Sequence, residues 1–162
     1  MTTKNTLENA LEIKRFINAP RERVFAAWTQ PEERMKWFGN EHCACLSVEA
    51  DVQVGGQWQI RMKSDRTGET EFYGVYLSVK PPAKLVYTWC WKNHPLLGTG
   101  ETLVTVEFLE LDGGTEIHLR HEGFADVELR NRHTEGWSGC IEKLERWLQK
   151  TECLCQKMKS DL

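Results

Sequence analysis

Between Asp126 and Lys150, apolar or semi-apolar residues recur at Leu129, His133, Trp137, Cys140, Ile141, Leu144 and Leu148. Steps of three and four residues place them on one face of a helix. Arg130, Arg132, Glu135, Ser138, Glu142, Glu145 and Gln149 fall on the other face. Asp126 is placed to cap the first turn with its carboxylate. At about 1.5 Å per residue the predicted helix is roughly 37 Å long. No other stretch of similar length has this period, so the stripe needs a sheet to bury against.

Upstream the pattern is shorter and mostly of period two. Leu11, Ile13 and, less regularly, Phe16 and Ile17 predict a first strand. Pro20 opens a short helix with Val24, Phe25 and Trp28 on one face. Pro31-Glu32-Glu33 opens a second, which ends in Met35, Trp37 and Phe38 before Gly39. From Leu46 the alternation predicts strands: Val48, Ala50 and Val52, then Trp58, Ile60 and Met62 after the Gly55-Gly56 turn. A strand from about Glu69 to Val79 contains Gly74, a mark of a bulge or of close backbone approach. Leu85, Tyr87, Trp89 and Trp91 share one face of the next strand, and a loop spans Asn93 to Gly100. Val104, Val106 and Phe108, the Asp112-Gly113-Gly114 turn, and Ile117, Leu119 and His121 complete the set.

The order is strand, two short helices, about six strands and one long helix. Tight turns between the later strands predict an antiparallel meander, and the class is α+β. A bent sheet around one helix leaves space to fill, and the inward positions carry large side chains: Trp58, Tyr87, Trp89, Trp91 and Trp137.

Composition narrows the function. A chain of 162 residues predicts one domain. We place it at residues 11–150, with a loose arm at 1–10 and a tail at 151–162. A net charge of -3 gives no footprint for nucleic acid or an anionic membrane. No apolar run is long enough to span a bilayer. Residues Met1 to Glu8 lack a signal-peptide core, so the expected location is the cytoplasm. In that compartment the six cysteines are expected as free thiols. Phosphate loops, dinucleotide fingerprints, G-x-S-x-G and HExxH are absent from the sequence.

Several motifs together resemble one family. They are Ala19-Pro20 with Val24-Phe25, Pro31-Glu32 with Trp37, Val54-Gly55-Gly56 with Trp58, Gly74, and Pro81-Pro82 with Leu85 to Trp89. Further on come Glu101-Thr102 to Phe108, Leu119-Arg120-His121-Glu122-Gly123-Phe124, and His133 with Gly136-Trp137. Over roughly residues 11–150 the chain resembles the Bet v 1/START-like (SRPBCC, helix-grip) superfamily, and within it the group named after the activator of Hsp90 ATPase homologue 1. The resemblance implies a curved antiparallel sheet gripping the C-terminal helix around an internal cavity. It leaves the activity open, because fold does not settle function. Three expectations follow: a binder of a small, mostly hydrophobic molecule; an accessory to a chaperone of the Hsp90 type, with a stress-response role; or a cyclase- or hydratase-like enzyme acting in the same cavity. The first is preferred, in a monomer or weak homodimer without a cofactor.

The candidate ligand-binding residues are Trp37, Trp58, Tyr87, Trp89, His121, His133, Trp137, Cys140 and Ile141. Trp37 and Phe38 are placed to form a lid. His121 and His133 are candidate polar anchors or acid–base groups, against the alternative of hydrogen-bonded core histidines. Glu122 and Glu135 point outward by period. Cys140 is expected to pack as a small apolar group, although a nucleophile pair with His133 stays open. His42-Cys43-Ala44-Cys45 and Cys153-Leu154-Cys155 invite a metal reading, but one intervening residue strains tetrahedral chelation, and no metal is expected.

Overall fold

The computed structural model describes residues 9–39, 43–66, 68–92 and 100–160, with side chains as far as Thr151. The elements run β1 (Leu11–Ile17), α1 (Arg21–Thr29), α2 (Pro31–Trp37), β2 (Cys43–Ala50), β3 (Gln57–Ser64), β4 (Gly68–Lys80), β5 (Lys84–Lys92), β6 (Thr102–Leu111), β7 (Gly114–Glu122) and α3 (Val127–Ser160). One antiparallel sheet of seven strands has the order β1-β7-β6-β5-β4-β3-β2. Strands β2 to β7 form the expected meander, and β1 adds beside β7 with Leu11 opposite His121. The chain therefore starts at one edge of the sheet and resumes at the other. Helices α1 and α2 bridge that span, with α1 against β6 and β7 and α2 against β2 and α3. The sheet curls into a half-barrel around α3, which makes this a helix-grip fold.

Local chemistry explains the boundaries. Pro31 occupies the first turn of α2, where its missing N–H costs nothing. The Asp126 carboxylate accepts from Leu129 N at 2.8 Å, the cap expected of it. On α3, Trp137, Cys140, Ile141, Leu144 and Leu148 are buried, while Arg132 and Glu135 are exposed. Gly74 lies where backbone approaches closely: an added Cβ would stand 1.8 Å from the Thr88 carbonyl oxygen.

Two details differ from the pattern. Strand β2 begins at Cys43, and a bulge between Cys45 and Ser47 inserts an extra residue. Cys45 and Val48 both turn inward, and Leu46 is left exposed. The long helix continues past Lys150 to Ser160. That extension carries no Pro or Gly to stop it, and Glu, Leu, Gln, Lys and Met propagate helix well. The expected loop at Asn93 to Gly100 lies outside the described residues except at Gly100. Among the described residues, no helix is long and apolar enough to cross a membrane.

Candidate functional site

Most of the space between sheet and helix is filled. Trp28 packs at 4.8 Å from Trp37 and 5.6 Å from Phe108, and stacks on Trp137 at 5.9 Å. Its indole N–H donates to Tyr87 Oη at 3.2 Å, and Trp37 donates to the Ala27 carbonyl at 2.9 Å. Trp58 meets Tyr87 edge-on at 5.4 Å. Of the candidate ligand residues, Trp37, Trp58, Tyr87, His121 and Ile141 are buried in this packed interior and are not among the residues that line the pocket beside it.

A pocket of about 310 Å³ opens at one end of the half-barrel. Its sheet wall comes from β3, β4 and β5, through Met62, Ser64, Thr70, Phe72, Trp89 and Trp91. Its helix wall is the early part of α3, through His133, Gly136, Trp137 and Cys140. Phe38 and Gly39 at the end of α2 and Cys43 of β2 close the floor, and Arg66, Arg132 and Glu135 stand at the polar edge. The rings form one continuous surface, with Phe72 stacked on Trp89 at 4.3 Å and tilted against Trp91 at 4.6 Å. Thus Trp89, His133, Trp137 and Cys140 from the candidate set meet at the pocket, together with Phe38 of the expected lid.

The two histidines are held by directed hydrogen bonds. Trp137 Nε1 donates to His121 Nδ1 at 3.1 Å. The ring proton is therefore on Nε2, which donates to Thr102 Oγ1 at 2.7 Å. That hydroxyl in turn donates to the Trp89 carbonyl at 2.9 Å. Trp91 Nε1 donates to His133 Nε2 at 2.8 Å, which leaves Nδ1 to donate to the Leu129 carbonyl at 2.8 Å. Both nitrogens of both rings are engaged, and each ring is in a defined neutral tautomer. The rings lie 5.3 Å apart, edge to face. Burial, reinforced by His133, holds the His121 pKa well below its ordinary value.

The cysteines follow the same logic. Cys140 Sγ accepts from Gly39 N at 3.3 Å and donates to the Gly39 carbonyl at 3.5 Å, tying α3 to the end of α2. Burial pushes its thiol up to about 11, so almost none is thiolate at neutral pH. Cys43 and Cys45 are half-buried free thiols on β2. Among the described residues, no group of His, Cys, Asp and Glu is arranged to hold a metal ion. His42 and the side chains of Cys153 and Cys155 lie outside the described residues.

Sequence reasoning missed the small and polar members of the wall: Gly39, Cys43, Ser64, Arg66, Thr70, Arg132 and Gly136. It placed Met62 and Trp91 no more specifically than on strand faces, and Phe72 only within the strand from Glu69 to Val79. One signal was present. Gly136 is a glycine inside a long helix, where it costs about 1 kcal/mol relative to alanine. An added Cβ there meets nothing within 4 Å, because it would point into open space at the pocket.

Comparisons with known proteins agree with this architecture. The family model described as "Activator of Hsp90 ATPase homolog 1-like protein" matches residues 18–149. Comparison with curated proteins finds no match. Among solved structures, a protein of Chromobacterium violaceum is 26% identical with a TM-score of 0.79, covering 86% of this chain and 96% of that one. The AHSA1 protein of Silicibacter pomeroyi is 25% identical with a TM-score of 0.76, covering 88% and 99%. A protein of Nitrosomonas europaea at 23% identity shares the fold, with a TM-score of 0.75 over 90% and 97% of the two chains. With a matching architecture, and a family model that spans most of its length, this chain belongs to the activator of Hsp90 ATPase homolog 1-like family.

Proposed function

We propose that this protein binds a small, flat, mostly apolar molecule in the pocket between the sheet and α3. The observation that carries the reading is the continuous wall of rings, Phe38, Phe72, Trp89, Trp91 and Trp137, around about 310 Å³ of space. That volume is at the small end of ligand sites, and apolar walls with a few polar groups at the edge are their usual make-up. Binding is favoured over turnover by the state of the reactive groups. Each ring nitrogen of His121 and His133 already has a partner, and Cys140 is protonated. A proton shuttle would first have to break one of those bonds.

Naphthylacetamide, a neutral two-ring compound, is a suitable probe. Titrated into the protein, it is expected to quench tryptophan fluorescence saturably, with weaker binding in Trp91→Ala. Native mass spectra of freshly purified protein are expected to show a carried ligand. No saturable quenching, together with a bare mass, would remove this reading.

A further inference from the structure

Arg34 lies on the inward face of α2 and is 2% exposed. Among the described residues it is the single Arg, Lys, Asp or Glu that is buried. Its Cζ stands over three rings, at 4.9 Å from the Phe38 centroid, 5.6 Å from Trp58 and 5.7 Å from Tyr87. Those faces offset part of the cost of burying the charge. The Tyr87 hydroxyl accepts a hydrogen bond from the guanidinium, but Nε and Nη2 have no hydrogen-bond partner, and neither has the buried hydroxyl of Tyr76. A buried cation with empty donors is costly unless something pairs with it.

The neighbours do not supply the missing anion. Tyr76, Tyr87, Cys45 and Cys140 all feel the guanidinium, and in each case burial outweighs it and holds the neutral form. No carboxylate among the described residues forms an ion pair with Arg34. The pocket is one side chain away. Phe38 has the guanidinium over its ring and is itself part of the pocket wall. It is the residue just past the end of α2, next to Gly39 with φ of 103°. Its ring, packed against Trp37, Phe72, Trp89 and Trp137, is the side chain whose rotation would join the guanidinium to the pocket.

We infer that the ligand of the pocket carries a planar oxyanion, a carboxylate in the simplest case, and that Arg34 receives it as a two-pronged donor once the Phe38 ring swings aside. The Tyr76 hydroxyl is available as a further donor. The inference rests on the binding reading above, because the pocket is the anion's way in. Arg matches carboxylate geometry with two parallel N–H donors, and such charge-assisted bonds are the strong ones.

The test is a matched pair of probes, naphthylacetate and naphthylacetamide, titrated by tryptophan fluorescence into the parent, Arg34→Leu and Arg34→Lys. In the parent, the carboxylate is expected to bind at least about tenfold tighter than the amide. In Arg34→Leu the two are expected to bind alike, with the amide affinity retained. In Arg34→Lys, which keeps the charge but not the fork, the preference is expected to shrink. Unliganded Arg34→Leu is expected to melt no lower than the parent, since an unpaired buried charge has been removed. Equal affinity for both probes in the parent, or a preference that survives Arg34→Leu, would overturn the inference and leave the binding reading standing. An Arg34→Leu protein that melts far below the parent or fails to fold would also overturn it, by assigning Arg34 to the core. If neither probe saturates, both readings fall.

Discussion

The two ends of the half-barrel share one sheet and one helix, yet they are finished differently. At the closed end, α1 lies against β6 and β7 and inserts Phe25 and Trp28, which meet Phe108 at 5.4 and 5.6 Å. Ile17, Leu144 and Leu148 are fully buried, and Arg15 of β1 pairs with Glu145 of α3 at 2.7 Å. At the open end, the facing residues include Gly39, Cys43, Ser64, Thr70, Gly136 and Cys140, and the space between them stays empty. The contrast shows that large inward side chains do not by themselves mark the cavity, since Trp28, Trp37 and Trp58 are packed away while Trp89, Trp91 and Trp137 line it. The pocket opens where rings face small residues such as Gly39, Ser64, Thr70 and Gly136 and not other rings.

Truncating a ring should therefore cost far more at the closed end. Trp28→Ala removes a wholly buried indole with four partners, and is expected to destabilise the protein by about 3–5 kcal/mol. Trp91→Ala removes a half-buried ring at the pocket, and is expected to cost roughly 1–2 kcal/mol while weakening the ligand. Urea denaturation of both variants checks this, and equal losses would break the comparison.

The histidine network beside the pocket should respond to acid. His121 is neutral in the fold because burial lowers its pKa well below 6.5. In the unfolded chain the same ring takes up a proton as pH falls through about 6.5. The unfolded state then binds more protons, so stability is full above that pH and is lost below it. The expected slope is about 1.4 kcal/mol per pH unit, until the folded ring itself protonates. Denaturation midpoints measured across mildly acidic pH would show it, and a flat profile would mean that the ring is hydrated.

The smallest expected change is at Gly136. Gly136→Ala adds a methyl group into open space on a helix, and is expected to stabilise the fold by about 0.5–1 kcal/mol. The same methyl narrows the pocket and should weaken the probe. Thermal melting and probe titration should move in opposite directions, a split not expected of a filled core.

The fold was readable because its periods are long or clean. The stripe from Leu129 to Leu148, the cap at Asp126, and the alternation of Trp58, Ile60 and Met62 each report a face that is buried. Leu46 misled because the bulge between Cys45 and Ser47 shifts the alternation by one residue, and a bulge leaves little trace in apolar pattern. The site was readable only in part. Trp89, His133, Trp137 and Cys140 were found by facing inward. Trp58 and Tyr87 face inward too, but their neighbours close around them. Period gives direction and not the distance to the opposite wall. Arg34 was overlooked because charge implies solvent, although its place three residues before Trp37 sets both on one helix face.

The open end, and not the closed end, is the one expected to receive a ligand. An amide and indole chemical-shift map during titration with naphthylacetamide tests it most directly. Saturable shifts are expected at Gly39, Ser64, Thr70 and Gly136 and at the indoles of Trp89 and Trp91, with Ile17, Trp28, Leu144 and Leu148 still. Shifts gathered at the closed end, or none that saturate, would contradict it.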